Sequence, residues 1–222
     1  IFFILIFGLY ACTKNAENSP VSIYCNLINE KLYSFSRLSD FEKRKFDELM
    51  QSRFLKYKND FLEAAKTFNI EWELLAAVAF QESQWNPKAR SATQVKGMMM
   101  LTLPTAASVG VTNRLDPIQS IHGGAQYIAD LKSNNNYGTS SGDKIAFILA
   151  AYNLGITNIR NAIDAIDKKP IEVTWLDLED YLLNLKTSMD TENYSRGQQT
   201  VDFVERVRDY YYLLLTQNCS DN

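Results

Sequence analysis

Apolar residues recur at helical spacing along most of the chain. Between Phe41 and Tyr57 charged residues interleave with Phe41, Phe46, Leu49 and Phe54, which predicts an amphipathic helix. Further helices are predicted over Asn59 to Phe68 and Trp72 to Ser83. In the latter, Leu75, Ala79 and Glu82 stand 4 and 3 apart and share one face, so an acid falls on the apolar stripe. Pro87 is expected to stop this helix, because it lacks an N–H and disfavours helix at the residue before it. Asp116 reads as an N-cap, with Pro117 in the first helical position and Gln119 three residues after the cap, opening a helix to about Leu131. Three Asn, two Gly and three Ser make 133–142 a loop. A helix from Asp143 is closed by Gly155. A last helix carries Val201, Val204, Val207, Tyr211 and Leu214 at spacings of 3 and 4. Strand alternation is weak throughout, and the stretch from Ile171 to Arg196 has no clear period. The pattern predicts a mostly α single domain.

The N-terminal run Ile1 to Ala11 is apolar but short of the ~20 residues that span a bilayer as a helix. It fits the apolar core of a secretory signal whose start, lacking Met and basic residues, is expected to be truncated. Leu9-Tyr10-Ala11-Cys12 resembles a bacterial lipobox, which makes Cys12 a lipidation candidate; an ordinary cleaved signal and a short uncleaved anchor stay open. Residues 13–19 are polar and precede Pro20, as a tether would. The expected division is a signal-like segment over 1–11, a lipidated Cys and tether over 12–30, and a catalytic domain over 31–222. In an oxidising compartment Cys25 and Cys219 are able to pair and tie the start of the domain to its end, with two buried or free thiols the equal alternative.

Length and charge narrow the function. A chain of 222 residues holds one good-sized domain. With 23 basic and 26 acidic residues the net charge is −3, and no basic stripe marks a nucleic-acid footprint. One His and three well-separated Cys leave no zinc-ligand spacing, so no metal and no cofactor are expected. A Ser-His-Asp triad would need His122, which sits in a predicted helix and reads as a surface residue. There is no glycine-rich phosphate loop.

The remaining chemistry centres on Glu82. An acid on an apolar stripe is partly desolvated, which raises its pKa and suits general acid/base work on a neutral substrate such as a glycan. By itself Glu82-Ser83 is a short motif, and a solvated Glu near a helix end is the commoner case. The context changes this. Glu82-Ser83 with Asn86-Pro87, then Ser91, Gly97-Met98-Met99 and Ala151-Tyr152-Asn153-Leu154-Gly155, resembles the three main motifs of the soluble-type lytic transglycosylase domain, which is similar to goose-type lysozyme. Within that family the chain looks most like the catalytic domain of the membrane-bound, F-type murein transglycosylases. Met99-Met100-Leu101-Thr102, Asp116 to Tyr127, Tyr194-Ser195-Arg196-Gly197 and Phe203 to Tyr211 share in the likeness, which runs from about Phe54 to about Leu215. Only about 50 residues precede it, so the N-terminal solute-binding domain usual in those proteins is expected to be absent.

The resemblance implies a lysozyme-like fold and cleavage, without water, of the β-1,4 bond between N-acetylmuramic acid and N-acetylglucosamine in peptidoglycan. Glu82 would protonate the glycosidic oxygen, the substrate's N-acetyl group would assist at C1, and Glu82 would then act as base on the C6 hydroxyl to give a 1,6-anhydro ring. Ser91 would lie near the acid and the N-acetyl group, Tyr152 near the acid, and Asn153 and Tyr194 near the sugar. Gly97 would let backbone approach the sugar. Met100 stands where relatives place a Gln facing the cleft, and both core and substrate wall remain open for it. Ser91 as a loop residue bonding its own backbone, and Tyr152 and Asn153 as packing and cap, are the plain readings. Relatives often carry a Glu and a Tyr where this chain has Gln199 and Phe203, a departure that removes one accessory acid and one hydroxyl. A goose-type hydrolase using the same acid, and an inactive peptidoglycan-binding lipoprotein, are the competing readings. The expected setting is an outer-membrane lipoprotein, monomeric, held by its lipid and facing the periplasm.

Overall fold

The computed structural model describes residues 20–184 and 191–220, and among these the chain is helical with no β-strand. Ten helices follow in order: α1 (Pro20–Phe35), α2 (Asp40–Ser52), α3 (Lys58–Phe68), α4 (Trp72–Ser83), α5 (Leu103–Ser108), α6 (Pro117–Ser133), α7 (Ser141–Leu154), α8 (Ile156–Asp164), α9 (Trp175–Asn184) and α10 (Thr191–Ser220). Single 3₁₀ turns occupy Phe54–Lys56 and Pro170–Glu172.

The long helix α10 is the spine. It packs on α1, α4, α7 and α9, while α6 bridges α3 and α7. Val201, Val204, Val207 and Leu214 are buried along it, as their spacing requires. Phe46, Leu49 and Phe54 are buried too, but Phe41 is 70% exposed. Five positions separate Phe41 from Phe46, which turns it about 140° off the apolar stripe. The helix expected to reach Tyr57 breaks after Ser52 into the 3₁₀ turn.

Capping fixes several ends. Asp116 accepts from the Gln119 N–H at 2.9 Å and caps α6 as expected. The Gln119 side chain does not complete the box; its Oε1 accepts instead from the Thr112 and Asn113 N–H groups and the Thr112 hydroxyl, pinning the preceding loop. Ser140 and Asp143 form a capping box on α7, so that helix starts two residues before Asp143. The same Asp143 accepts from the Trp175 N–H at 2.8 Å and seats the start of α9.

Residues 20–30, assigned to the tether by sequence, are helical. Pro20 fills the first helical position, Ile28 is buried, and α1 lies against α10. A disulfide joins Cys25 of α1 to Cys219 of α10 across 194 residues. Cys12 and the signal-like segment lie outside the described residues. No helix among the described residues is long and apolar enough to cross a membrane.

Candidate active site

Glu82 sits in the last turn of α4, whose Leu75 to Phe80 are all buried. Pro87 does not end this helix. It ends four residues earlier, where Gln84 (φ 51°) and Trp85 (φ 55°) both turn left-handed. Two such non-glycine residues in a row carry strain. Burial of the Trp85 ring offsets it: the ring is fully buried, packs 4.6 Å from Phe80, 4.9 Å from Phe54 and 5.3 Å from Phe46, and donates its N–H to the Ala76 carbonyl at 2.9 Å. Ser83, beside the acid, donates within reach of the Ala79 and Met98 carbonyls (3.1 and 2.7 Å) and accepts the Asn86 N–H at 3.2 Å. Ser83 is thus a fastener, and Glu82 is the group left facing the cleft.

That cleft has a volume of about 240 Å³ and is walled by Glu82, Thr93, Val95, Met100, Leu101, Thr102, Thr105, Tyr127, Tyr152 and Asn153. Among the described residues, Glu82 is the one carboxyl in its wall. Burial pushes the Glu82 pKa from its ordinary 4.5 up to about 8, so the acid holds its proton at neutral pH.

The opposite wall is set by the backbone of Met99. The Met99 N–H donates to the buried Ser120 hydroxyl at 3.1 Å, and its carbonyl accepts from the Tyr152 hydroxyl at 2.8 Å. Met98 and Met99 are core residues, and Met99 presses on α6 where a Cβ on Gly124 would lie 2.6 Å from its side chain. Met100 follows at φ 45° and lines the cleft. The Tyr152 ring lies 5.4 Å from Tyr127 and stacks on Phe203 at 6.3 Å. Burial first, then Glu82 and Tyr127, raise the Tyr152 pKa well above its ordinary value, so that hydroxyl stays protonated as a donor. Asn153 is exposed at the cleft, and its Oδ1 accepts from the Thr200 hydroxyl at 3.0 Å.

Of the sequence-named residues, Glu82, Met100, Tyr152 and Asn153 therefore meet in one cleft. Ser91 and Gly97 do not line it. Ser91 closes its own turn: its Oγ accepts the Thr93 N–H at 3.2 Å and shares a 2.9 Å bond with the Thr93 hydroxyl. Thr93, two residues on, supplies the hydroxyl in the wall. Gly97 (φ 86°) is required by the backbone, since a Cβ there would lie 1.7 Å from the Arg114 carbonyl oxygen. The Tyr194 side chain lies outside the described residues. Phe203 is buried against Tyr152 where a hydroxyl was missing, Gln199 is exposed, and His122 is half-buried with its ring edge on Phe68.

Sequence reasoning passed over Tyr127, Thr93, Thr102 and Thr105. Tyr127 was legible, since Ser120, Gly124 and Tyr127 stand 4 and 3 apart on the inner face of α6. Thr102 and Thr105 carry an N-cap signature, with the Thr105 N–H donating to Thr102 Oγ1 at 3.1 Å. Nothing in the sequence aimed them at the acid.

Residues 59–174, more than half of the chain, match the family model described as "Transglycosylase SLT domain", and every residue of the cleft wall falls within that span. The chain belongs to the transglycosylase SLT domain family. It is 38% identical over 194 residues to membrane-bound lytic murein transglycosylase F of Shewanella loihica, covering 85% of this chain and 40% of that protein. It is 40% identical over 174 residues to the protein of the same name from Stutzerimonas stutzeri, covering 76% of this chain and 36% of the relative. The SLT chain thus spans about two fifths of the length of these relatives. Among solved structures it superposes on an inactive mutant of lytic transglycosylase Slt from Pseudomonas aeruginosa with a TM-score of 0.54 at 17% identity, covering 89% of this chain and 35% of that one. The 70 kDa soluble lytic transglycosylase of Escherichia coli gives 0.51 at 20%, over 92% and 34%. At that identity the likeness shows the fold, which is the expected mostly α, lysozyme-like one.

Proposed function

We propose that this SLT domain is a peptidoglycan lytic transglycosylase, cleaving the β-1,4 bond between N-acetylmuramic acid and N-acetylglucosamine to leave a 1,6-anhydro end. The observation that carries the reading is Glu82, the single carboxyl among the described residues of the cleft wall, kept protonated at neutral pH by burial. It meets the need of the first step, a proton for the leaving glycosidic oxygen. The substrate's N-acetyl oxygen holds C1 as the bond breaks, so the protein supplies no nucleophile. The Glu82 carboxylate left behind takes the proton of the C6 hydroxyl, and O6 closes on C1 as the N-acetyl oxygen departs. The acid regains its proton and no water is consumed. Tyr152 and Asn153 hold the cleft opposite Glu82, and Met100 with Thr93, Thr102 and Thr105 form the sugar-facing wall. The role carried over for Ser91 passes in this reading to the Thr93 hydroxyl that Ser91 holds.

The deciding experiment digests purified sacculi in water enriched in heavy oxygen. Soluble products are expected to end in 1,6-anhydro-N-acetylmuramic acid without label, because a positioned intramolecular hydroxyl reaches effective molarities of ~10⁵ M or more. Stoichiometric label at a free reducing end would make the protein a goose-type hydrolase. Products from neither route would leave a peptidoglycan-binding protein. Glu82→Gln is expected to lose ~10²–10⁴-fold in activity.

The apolar run ahead of Cys12 supports lipidation there, with the domain held to an envelope membrane and facing the periplasm as a monomer. Cys12→Ser in the full-length gene should then release the protein to the soluble periplasmic fraction or leave its signal uncleaved. Unchanged membrane association with an unmodified N-terminus refutes the lipid anchor.

A further inference from the structure

The first helix shows an apolar face that the fold does not use. α1 turns Ile28 and the half-buried Leu32 inward, and Cys25 clasps it to Cys219 of α10. Of the twelve large apolar side chains exposed among the described residues, five lie on this one helix: Val21, Ile23, Tyr24, Leu27 and Tyr33. The other seven are spread over the rest of the molecule, as single exposed apolar residues usually are.

Leu27 stands four residues after Ile23 and three after Tyr24, so the three form one stripe, 49%, 57% and 46% exposed. Lys31 continues the stripe four residues further on. No residue from Asn18 to Asn29 is charged, nor is any from Tyr210 to Ser220 at the end of α10 clasped to α1. A stripe of this kind, with a tyrosine at its flank, has the make-up of a helix lying in the plane of a bilayer surface. The stem of Lys31 can follow the stripe while its ammonium stays among the headgroups.

The chain ahead of α1 says what covers this face. Residues 13–19 separate Cys12 from Pro20. At about 3.3–3.6 Å per residue such a segment reaches ~25 Å at most, so an anchor at Cys12 keeps the first turn of α1 within that distance of the bilayer. A short tether also gives what it carries an effective concentration in the millimolar range, at which a face of weak affinity is occupied.

We propose that α1 is a membrane-surface helix, docking Ile23, Tyr24 and Leu27 into the headgroup layer of an envelope membrane and so fixing how the catalytic cleft is presented. The inference rests on the reading that Cys12 is lipidated for the nearness of that membrane. α1 runs antiparallel to α10, since Cys25 meets Cys219 while the Arg37 N–H, just past α1, donates to Asp209 at 2.8 Å. Docking of α1 therefore lays the long spine along the bilayer. Phe203, which stacks on Tyr152 at the cleft, comes 16 residues before Cys219, about 24 Å along the helix axis. The cleft is thereby held to one side of the membrane contact.

The test expresses the full-length gene in cells, with photoreactive benzoylphenylalanine in place of Leu27 or, as control, of Asn29. Both positions are exposed, and they lie about 160° apart around the helix. A helix that is only tethered near the membrane labels lipid equally from both. Burying the exposed halves of even two of these side chains favours the docked state about tenfold or more, so lipid adduct from position 27 should exceed that from position 29 about tenfold. A probe at Ile23 should give the same excess, which guards against a Leu27 probe that disturbs the fold. Equal lipid adduct from the stripe and from position 29 overturns the proposal. So does an adduct from position 27 to a second copy of the chain in place of lipid, which would make the stripe a dimer interface. The mass of the N-terminal peptide is read from the same sample. An acylated Cys12 with equal labelling removes the docking face and leaves the anchor. An unmodified Cys12 with lipid adduct confined to the stripe removes the anchor and leaves the docking face standing.

Discussion

The site should be measurable as a stability defect. Glu82 is ionised in the unfolded chain above its ordinary 4.5, but in the fold burial holds the proton until about pH 8. A raised carboxyl pKa has a definite sign: stability is full below about pH 4.5, declines as pH rises, and levels off above about 8. Each pH unit of separation is worth about 1.36 kcal/mol, which gives about 3 kcal/mol lost by pH 7 and about 5 kcal/mol by pH 8. Glu82 is partly exposed, and solvent screening trims the pH 7 figure to roughly 2 kcal/mol. Glu82→Gln keeps the shape and cannot ionise, so the variant should match wild type in stability near pH 4.5 and exceed it by roughly 2 kcal/mol at pH 7. For a domain of this size that is about 4–8 °C in Tm. The assay is a set of paired melts of both proteins from pH 4.5 to 8.5. Fixed effects of the Gln amide cancel in the pH dependence of the difference, as do other titrating groups common to both. A difference that stays flat across the range, or that shrinks as pH rises, would refute the claim that burial keeps this acid neutral.

Other outcomes follow from the same geometry. Gly97→Ala should cost at least about 2 kcal/mol in urea denaturation, because its Cβ would lie 1.7 Å from the Arg114 carbonyl at φ 86°; an unchanged midpoint would show that the loop relaxes freely. Replacing Cys25 and Cys219 together with Ser should cost roughly 2–5 kcal/mol and make α1 the first site of limited proteolysis; equal protection of α1 in both proteins would mean that packing alone holds it. The kcat/KM of sacculus digestion should fall about tenfold per pH unit above about pH 8, as Glu82 loses the proton it must donate. A profile still flat at pH 9.5 would remove Glu82 from the role of acid.

Legibility in the sequence tracked how local each determinant was. The helices announced themselves because burial of one face imposes its period on sequence, as with Val201, Val204 and Val207, and because caps such as Asp116 act within a single turn. The end of α4 was misread because its cause is not local: Gln84 and Trp85 turn left-handed so that Trp85 reaches Phe46, Phe54 and Phe80. The start of α9 was overlooked although Thr174 and Asp177 cap each other reciprocally, with the Thr174 N–H on Asp177 Oδ2 at 2.9 Å and the Asp177 N–H on Thr174 Oγ1 at 3.3 Å. In the site, Glu82 was readable from its helical face, whereas Thr93, Thr102 and Tyr127 come from three separate segments that only the tertiary fold brings to one wall. Ser91 and Gly97 show the converse case: motif residues whose own partners, the Thr93 N–H and the Arg114 carbonyl, are backbone groups, so that they shape the wall without forming it.

Tyr152 carries the same distinction into the chemistry. A phenol beside Glu82 invites a role as a second acid or base, but its proton is already committed to the Met99 carbonyl at 2.8 Å, and burial raises its pKa well above the ordinary value. Removing that proton would leave a buried phenolate against a carbonyl oxygen and release the peptide that aims Met100 into the cleft. Phe203 stacks on the far side of the ring and offers no hydroxyl that could take over the bond. Tyr152 is therefore a strut for the opposite wall, and both proton transfers of the proposed reaction fall to Glu82. A single group can do both only if its two forms lie close in free energy at the working pH. Burial that brings the pKa to about 8 meets that condition near neutrality, where an ordinary carboxyl at 4.5 would have given up its proton before the substrate arrived.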